Sequence, residues 1–162
     1  MAAGSTYTPI TTTTVSGSAV ANVTWSSISS AYTDLIIITN LLTTSGGNGV
    51  GIQFNGDTAS NYSFTYIYGN GSTAASGRAS NTTNGQIDRT AANGAGITQI
   101  MNYANTNIYK TLLSRGNTGG EVFVWVDLWR STSAINSIKL FCNDGSNFSV
   151  GSQLSLYGIT AA

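Results

Sequence analysis

Apolar and polar residues alternate with a period of two along most of this chain, and few stretches show the spacing of a helix. The clearest case is EVFVWVDLW (121–129). Val122, Val124, Val126 and Leu128 fall on one side, and Phe123, Trp125, Asp127 and Trp129 on the other. Similar patterns rich in β-branched residues predict strands over 10–17, 20–28, 34–42, 50–56, 61–70, 96–105, 107–115, 121–129, 135–141 and 153–159. The last, in NFSVGSQLSLYGI, puts Leu154 and Leu156 on one face and Ser155, Tyr157 and Ile159 on the other.

Between these segments stand SGGNG, NGD, NTGG and NDGSN, which supply Gly and Asn where a hairpin needs positive φ. Short strands with turns at near-regular spacing predict an all-β fold, a β-sandwich or closed barrel, with 1–162 as one domain. Both sides of 121–129 look covered. Trp125 and Trp129 therefore suit either the core or a sheet face buried in a subunit contact, and they are candidate interface residues.

One stretch breaks the rhythm. GNGSTAASGRASNTTNGQIDRTAANGAG (69–96) has almost no apolar residue and is expected to be a long polar loop. It is either a solvated surface loop with a short edge strand around 86–89, or an arm reaching a neighbouring subunit through Arg78 and Arg89. Residues 1–9 are polar, hold the only proline, and are expected to form an N-terminal arm; Tyr7 and Pro9 are its candidate contacts.

Charge narrows the functions. Only 7 % of the 162 residues are charged, against about 25 % in ordinary domains, and the net charge is zero. The six basic residues are scattered, so nucleic-acid binding is not expected. No apolar run reaches the roughly 20 residues of a membrane-spanning helix, and no signal core opens the chain. The protein is expected to be made in the cytoplasm and to be soluble there. Near-zero net charge favours association, and the lone Cys142 excludes an intrachain disulfide.

Catalytic chemistry has little to work with. Histidine is absent, which removes the usual neutral-pH base and the imidazole metal ligands. Asp34, Asp57, Asp88, Glu121, Asp127 and Asp144 lie far apart in the chain. NGDTASN (55–61) and NDGSN (143–147) have calcium-type oxygen ligands but not the spacing of an EF-hand. No enzyme, cofactor or metal site is expected. Tyr62, Phe64, Tyr66 and Tyr68 share one strand face, either a core face or a platform for sugar rings.

Three stretches taken together carry a resemblance. TYTPITTTTVSGSAVANVTWSSISSAYTDLIIITN (6–40), IQFNGDTASNYS (52–63) and INSIKLFCNDGSNFSVGSQLSLYGI (135–159) resemble small bacteriophage virion proteins. The carrying features are the Tyr-x-Pro-Ile opening, the Tyr-Thr-Asp-Leu entry to an apolar strand, the Asn-Gly turn followed by Asn-Tyr, and the closing Ser-Leu-Tyr-Gly-Ile. The resemblance implies a jelly-roll-like antiparallel β-sandwich of about eight to ten strands, commonly trimeric, with no catalytic residues. It implies a phage virion structural protein without placing it on the particle. The absence of catalytic groups, and low charge with ample apolar surface, make the leading expectation a decoration (cement) protein on the outer capsid surface, whose partners are its own copies and the major capsid protein. Domains of this kind also occur at the tips of tail fibres, so a glycan-binding receptor module of a tail or head fibre is the alternative.

Overall fold

The computed structural model describes residues 6–44, 49–89 and 94–160. Among these it contains twelve antiparallel strands in two sheets and no helix. The strands are β1 (Tyr7–Thr14), β2 (Asn22–Trp25), β3 (Asp34–Leu41), β4 (Val50–Phe54), β5 (Tyr62–Gly69), β6 (Ala74–Thr82), β7 (Gly85–Asp88), β8 (Gly94–Ile100), β9 (Lys110–Asn117), β10 (Val122–Trp129), β11 (Ile138–Cys142) and β12 (Gln153–Ile159). The large sheet runs β1-β12-β3-β8-β9-β10-β5-β6 and the small one β2-β11-β4-β7.

The inward side chains of the two sheets form one core. Leu35 and Ile37, Ile100, Leu112, Trp129, and Leu154 and Leu156 come from the large sheet. Val23 and Trp25, Val50, Ile52 and Phe54, Ile87, and Ile138 and Leu140 come from the small one. Alternation makes this possible, because every second residue of each strand points at the opposite sheet. The Trp25 indole also donates to Thr13 Oγ1 at 3.1 Å, tying β2 to β1 across the layers.

When the hairpins β5–β6 and β9–β10 are set aside, the remaining strands form two four-stranded sheets, β1-β12-β3-β8 and β2-β11-β4-β7. Consecutive members of this set change sheet at every link except β4 to β7. Both hairpins extend the large sheet beyond β8, so β5 and β6 lie at its far end.

The structure corrects the expected loop over 69–96. β6 and β7 occupy 13 of its 28 residues, β5 runs into it as far as Gly69, and β8 begins at Gly94. β6 reads as loop because it is small and polar, AASGRASNT. An edge strand needs only backbone pairing with one neighbour, and β6 has that along all of β5. Residues 90–93 lie outside the described residues. The expected edge strand around 86–89 corresponds to β7.

The expected arm over 1–9 is corrected likewise. Tyr7, Thr8 and Pro9 pair with Ile159, Gly158 and Tyr157 as the start of β1, an edge strand with a register shift between Pro9 and Thr11. Proline has no amide to donate, and an edge with a bulge is where a sheet accepts it. Residues 1–5, most of the SGGNG turn (45–48) and the last two residues lie outside the described residues.

Other boundaries tighten. The strand expected over 96–105 stops at Ile100, because Asn102 takes a positive φ of 50° and its amide donates to Asp34 Oδ1 at 2.8 Å. The strand expected over 107–115 begins only at Lys110. The NGD turn forms with Asn55 and Gly56 at φ 54° and 70°, closed by the Asp57 amide on the Phe54 carbonyl at 2.9 Å.

Candidate functional site

The register of the large sheet sorts its residues into an inner face against the small sheet and an outer face. Along one outer row lie Ile38, Ile97, Arg115, Val124 and Ile67, on β3, β8, β9, β10 and β5. In the next row Tyr157, Ile36, Gln99, Leu113 and Val126 follow one another from β12 to β10. Val122 is 64 % exposed, Ile67 58 %, Val126 50 % and Leu113 46 %. A shallow depression of ≈ 580 Å³ lies over Ile67, Ala74, Ser76, Val122 and Val124. This is the most extended uncovered apolar surface among the described residues.

The candidate interface residues divide between the two faces. Tyr7 and Pro9, on β1, and Arg78, on β6, lie on the outer face at opposite edges of the sheet. Arg89, Trp125 and Trp129 lie on the inner side. Trp125 is 5 % exposed and Trp129 2 %, so neither is available to a partner. They face inward because the larger side chains gain more from leaving water, and this leaves the valines outside. The sequence separated the two sides of β10 but not which of them is covered. The ring volumes of Phe123, Trp125 and Trp129 were the signal that could have decided it.

The aromatic row of β5 also divides. Tyr62 is buried beside Phe54 and Trp129, donates its hydroxyl to the Asp57 carbonyl at 3.2 Å and accepts the Phe54 amide at 3.0 Å. Phe64, Tyr66 and Tyr68 are half-buried. Tyr66 packs on Trp125 with centroids 4.3 Å apart, and the Arg89 guanidinium sits 4.9 Å from the Tyr68 ring centroid. Arg89 also pairs with Glu121 at 2.8 Å. A Cβ on Gly77 would run into the Tyr66 ring, so this glycine lets the ring lie across β6.

Two carboxyls are buried at β7, Asp127 beneath it and Asp88 at its end. Asp127, 1 % exposed, accepts the Gln86 amide at 2.6 Å, while its other oxygen has no protein partner; burial pushes its pKa up to about 8. Asp88, also 1 % exposed, accepts from Thr39 Oγ1 and the Arg89 amide, both at 2.7 Å. Burial raises its pKa to about 6 against those bonds. Both are shut off from solvent; at pH 7 a pKa of about 8 keeps Asp127 mostly protonated, whereas one of about 6 leaves Asp88 mostly ionised and held by its two donors. Lys110 is buried too, and donates to the carbonyls of Ile108 and Thr132 at 2.8 and 3.2 Å; desolvation lowers its pKa.

The two calcium-like turns use their carboxylates internally. Asp57 accepts from Asn61 Nδ2, the Ala59 amide and the Trp129 indole, at 2.9, 2.9 and 2.7 Å. Burial pushes this carboxyl up, but the three bonds outweigh it and hold the pKa below the ordinary value. Asp144 Oδ1 accepts the Ser146 amide at 2.9 Å. Among the described residues no three His, Cys, Asp or Glu side chains come together as a metal site. Cys142 is buried in the core, where burial raises its thiol pKa. Comparison of the chain with protein-family models, curated proteins and solved structures found no match.

Proposed function

We propose that this chain is a structural protein of a phage virion, a decoration (cement) protein that trimerises on the outer capsid surface and clamps subunits of the major capsid protein. The observation that carries the reading is the strand order. We read the pair of sheets β1-β12-β3-β8 and β2-β11-β4-β7 as a jelly roll, an architecture recurrent in viral shells, with two hairpins added to one sheet. Six of its eight strands, β1, β2, β3, β4, β11 and β12, fall in or overlap the stretches quoted above as resembling small virion proteins, so the sequence resemblance and the topology support one reading. Fold alone does not imply function, and binding rather than catalysis is favoured because the buried carboxyls are sealed from solvent.

Copy number tests this. In virions of the phage that encodes the chain, quantitative electrophoresis should find copies in proportion to the capsid lattice. Particles lacking the protein should lose resistance to heat or osmotic shock while still adsorbing to cells. A few dozen copies on the tail would sink the cement reading.

The second reading, a glycan-binding module of a tail or head fibre, has one observation in its favour. Phe64, Tyr66 and Tyr68 form a half-buried aromatic strip beside Arg89 and Glu121, the kind of surface on which sugar rings stack. Particles that keep their shock resistance but fail to adsorb would select it.

A further inference from the structure

We infer that the outer face of the eight-stranded sheet is the surface through which copies of this chain associate. The inference rests on the association of copies in the reading above, and neither on their number nor on its virion part. Its first support is extent. Eight strands about 4.8 Å apart, with some seven residues of each in register, make a face of roughly 700–800 Å². That matches the ~800 Å² that each partner contributes to a standard stable interface.

The second support is composition. Ile38, Ile97, Val124, Ile67, Leu113, Val126 and Val122 give the face an aliphatic centre, interrupted by Arg115 between Ile97 and Val124 and larger than the scattered single residues of an ordinary monomer surface. Around it stand Thr12, Thr14, Asn40, Thr65, Ser76 and Asn117, neutral groups that both donate and accept hydrogen bonds. Val122 and Val126 are at least half exposed on β10, an interior strand with neighbours on both sides.

The third is charge, which selects a second copy over other occupants. The paired rows of this face carry only Asp34, Arg78 and Arg115. Asp34 accepts from Gln99 Nε2 at 2.9 Å and from the Asn102 amide. Two separated arginines are too few to neutralise a nucleic-acid backbone. A strongly acidic or basic protein would leave most of its own charges unmatched here. A face with both signs, almost no charge to desolvate and balanced neutral groups is compatible with itself.

The experiment is the mass of the full chain in solution. Wild-type protein at micromolar concentration should scatter light as a multiple of 16.8 kDa. Ile67→Lys combined with Val126→Lys, at positions already exposed, should keep the wild-type circular dichroism and fall to monomer mass. Should that pair fail to fold, Ile67→Ser with Val126→Ser adds no charge and should dissociate at a protein concentration at least about tenfold higher than wild type. Folded variants that keep the wild-type mass and concentration dependence would overturn the face assignment and leave the oligomer standing. A monomeric wild type would overturn the oligomer, and the face with it.

Discussion

Asp127 sits in the most apolar strand of the chain, one position from Val126 and two from Trp125 and Trp129. The alternation of EVFVWVDLW placed it on the tryptophan side, but its burial depends on β7, whose amide at Gln86, 41 residues earlier, it accepts. The pKa near 8 in the folded state lies above the ordinary carboxyl value of 3.8, so the fold holds a proton that the unfolded chain releases. This contribution is fully present below about pH 4 and is lost as pH rises through about 8. Asp88 adds a smaller loss ending near pH 6. Thermal unfolding should therefore show stability declining from pH 5 to 9. Asp127→Asn, which keeps an acceptor for the Gln86 amide, should flatten the decline and be more stable at pH 9 by on the order of 2 kcal/mol. A variant with the wild-type slope would mean that Asp127 is ionised in the fold.

At the scale of elements, most strands were legible because each has one face in the core. β6 was not, since it lies at the sheet edge with nothing apolar to alternate, and its pairing with β5 is carried by the backbone. A sequence-specific requirement within it is Gly77 under the Tyr66 ring. Gly77→Leu should displace that ring from Trp125, shift the tryptophan fluorescence and cost about 1–3 kcal/mol in urea unfolding. Unchanged fluorescence and stability would show that β6 can move away without loss. β1 taught the same lesson at the opposite edge, where a polar opening with a proline reads as an arm and yet pairs with β12.

The whole molecule is held by apolar packing between two sheets, with little help from charge. Twelve charged residues supply one ion pair among the described residues, Arg89 with Glu121, and it is partly exposed. Such a pair is worth no more than about 1 kcal/mol. Raising sodium chloride from 0.05 to 1 M should move the thermal midpoint by no more than about 3 °C. A larger fall would mean that charge contacts carry stability that the geometry does not reveal.

Alternation, turn residues and composition determined by themselves that this chain is an antiparallel β protein of many short strands, poor in charge and without histidine chemistry. Those properties are local: a period of two and an Asn-Gly turn act over a few residues. Only the tertiary structure decided the order of strands, which side of β10 is covered, and that the tryptophans lie inside while the valines remain on an open face. Those outcomes depend on which strand pairs with which across more than a hundred residues, as Thr12 does with Ser155, and no local pattern encodes such a choice. The two buried aspartates belong to the same class, because each loses solvent only when strands distant in the chain pack together, Asp127 beneath β7 and Asp88 against Thr39 of β3.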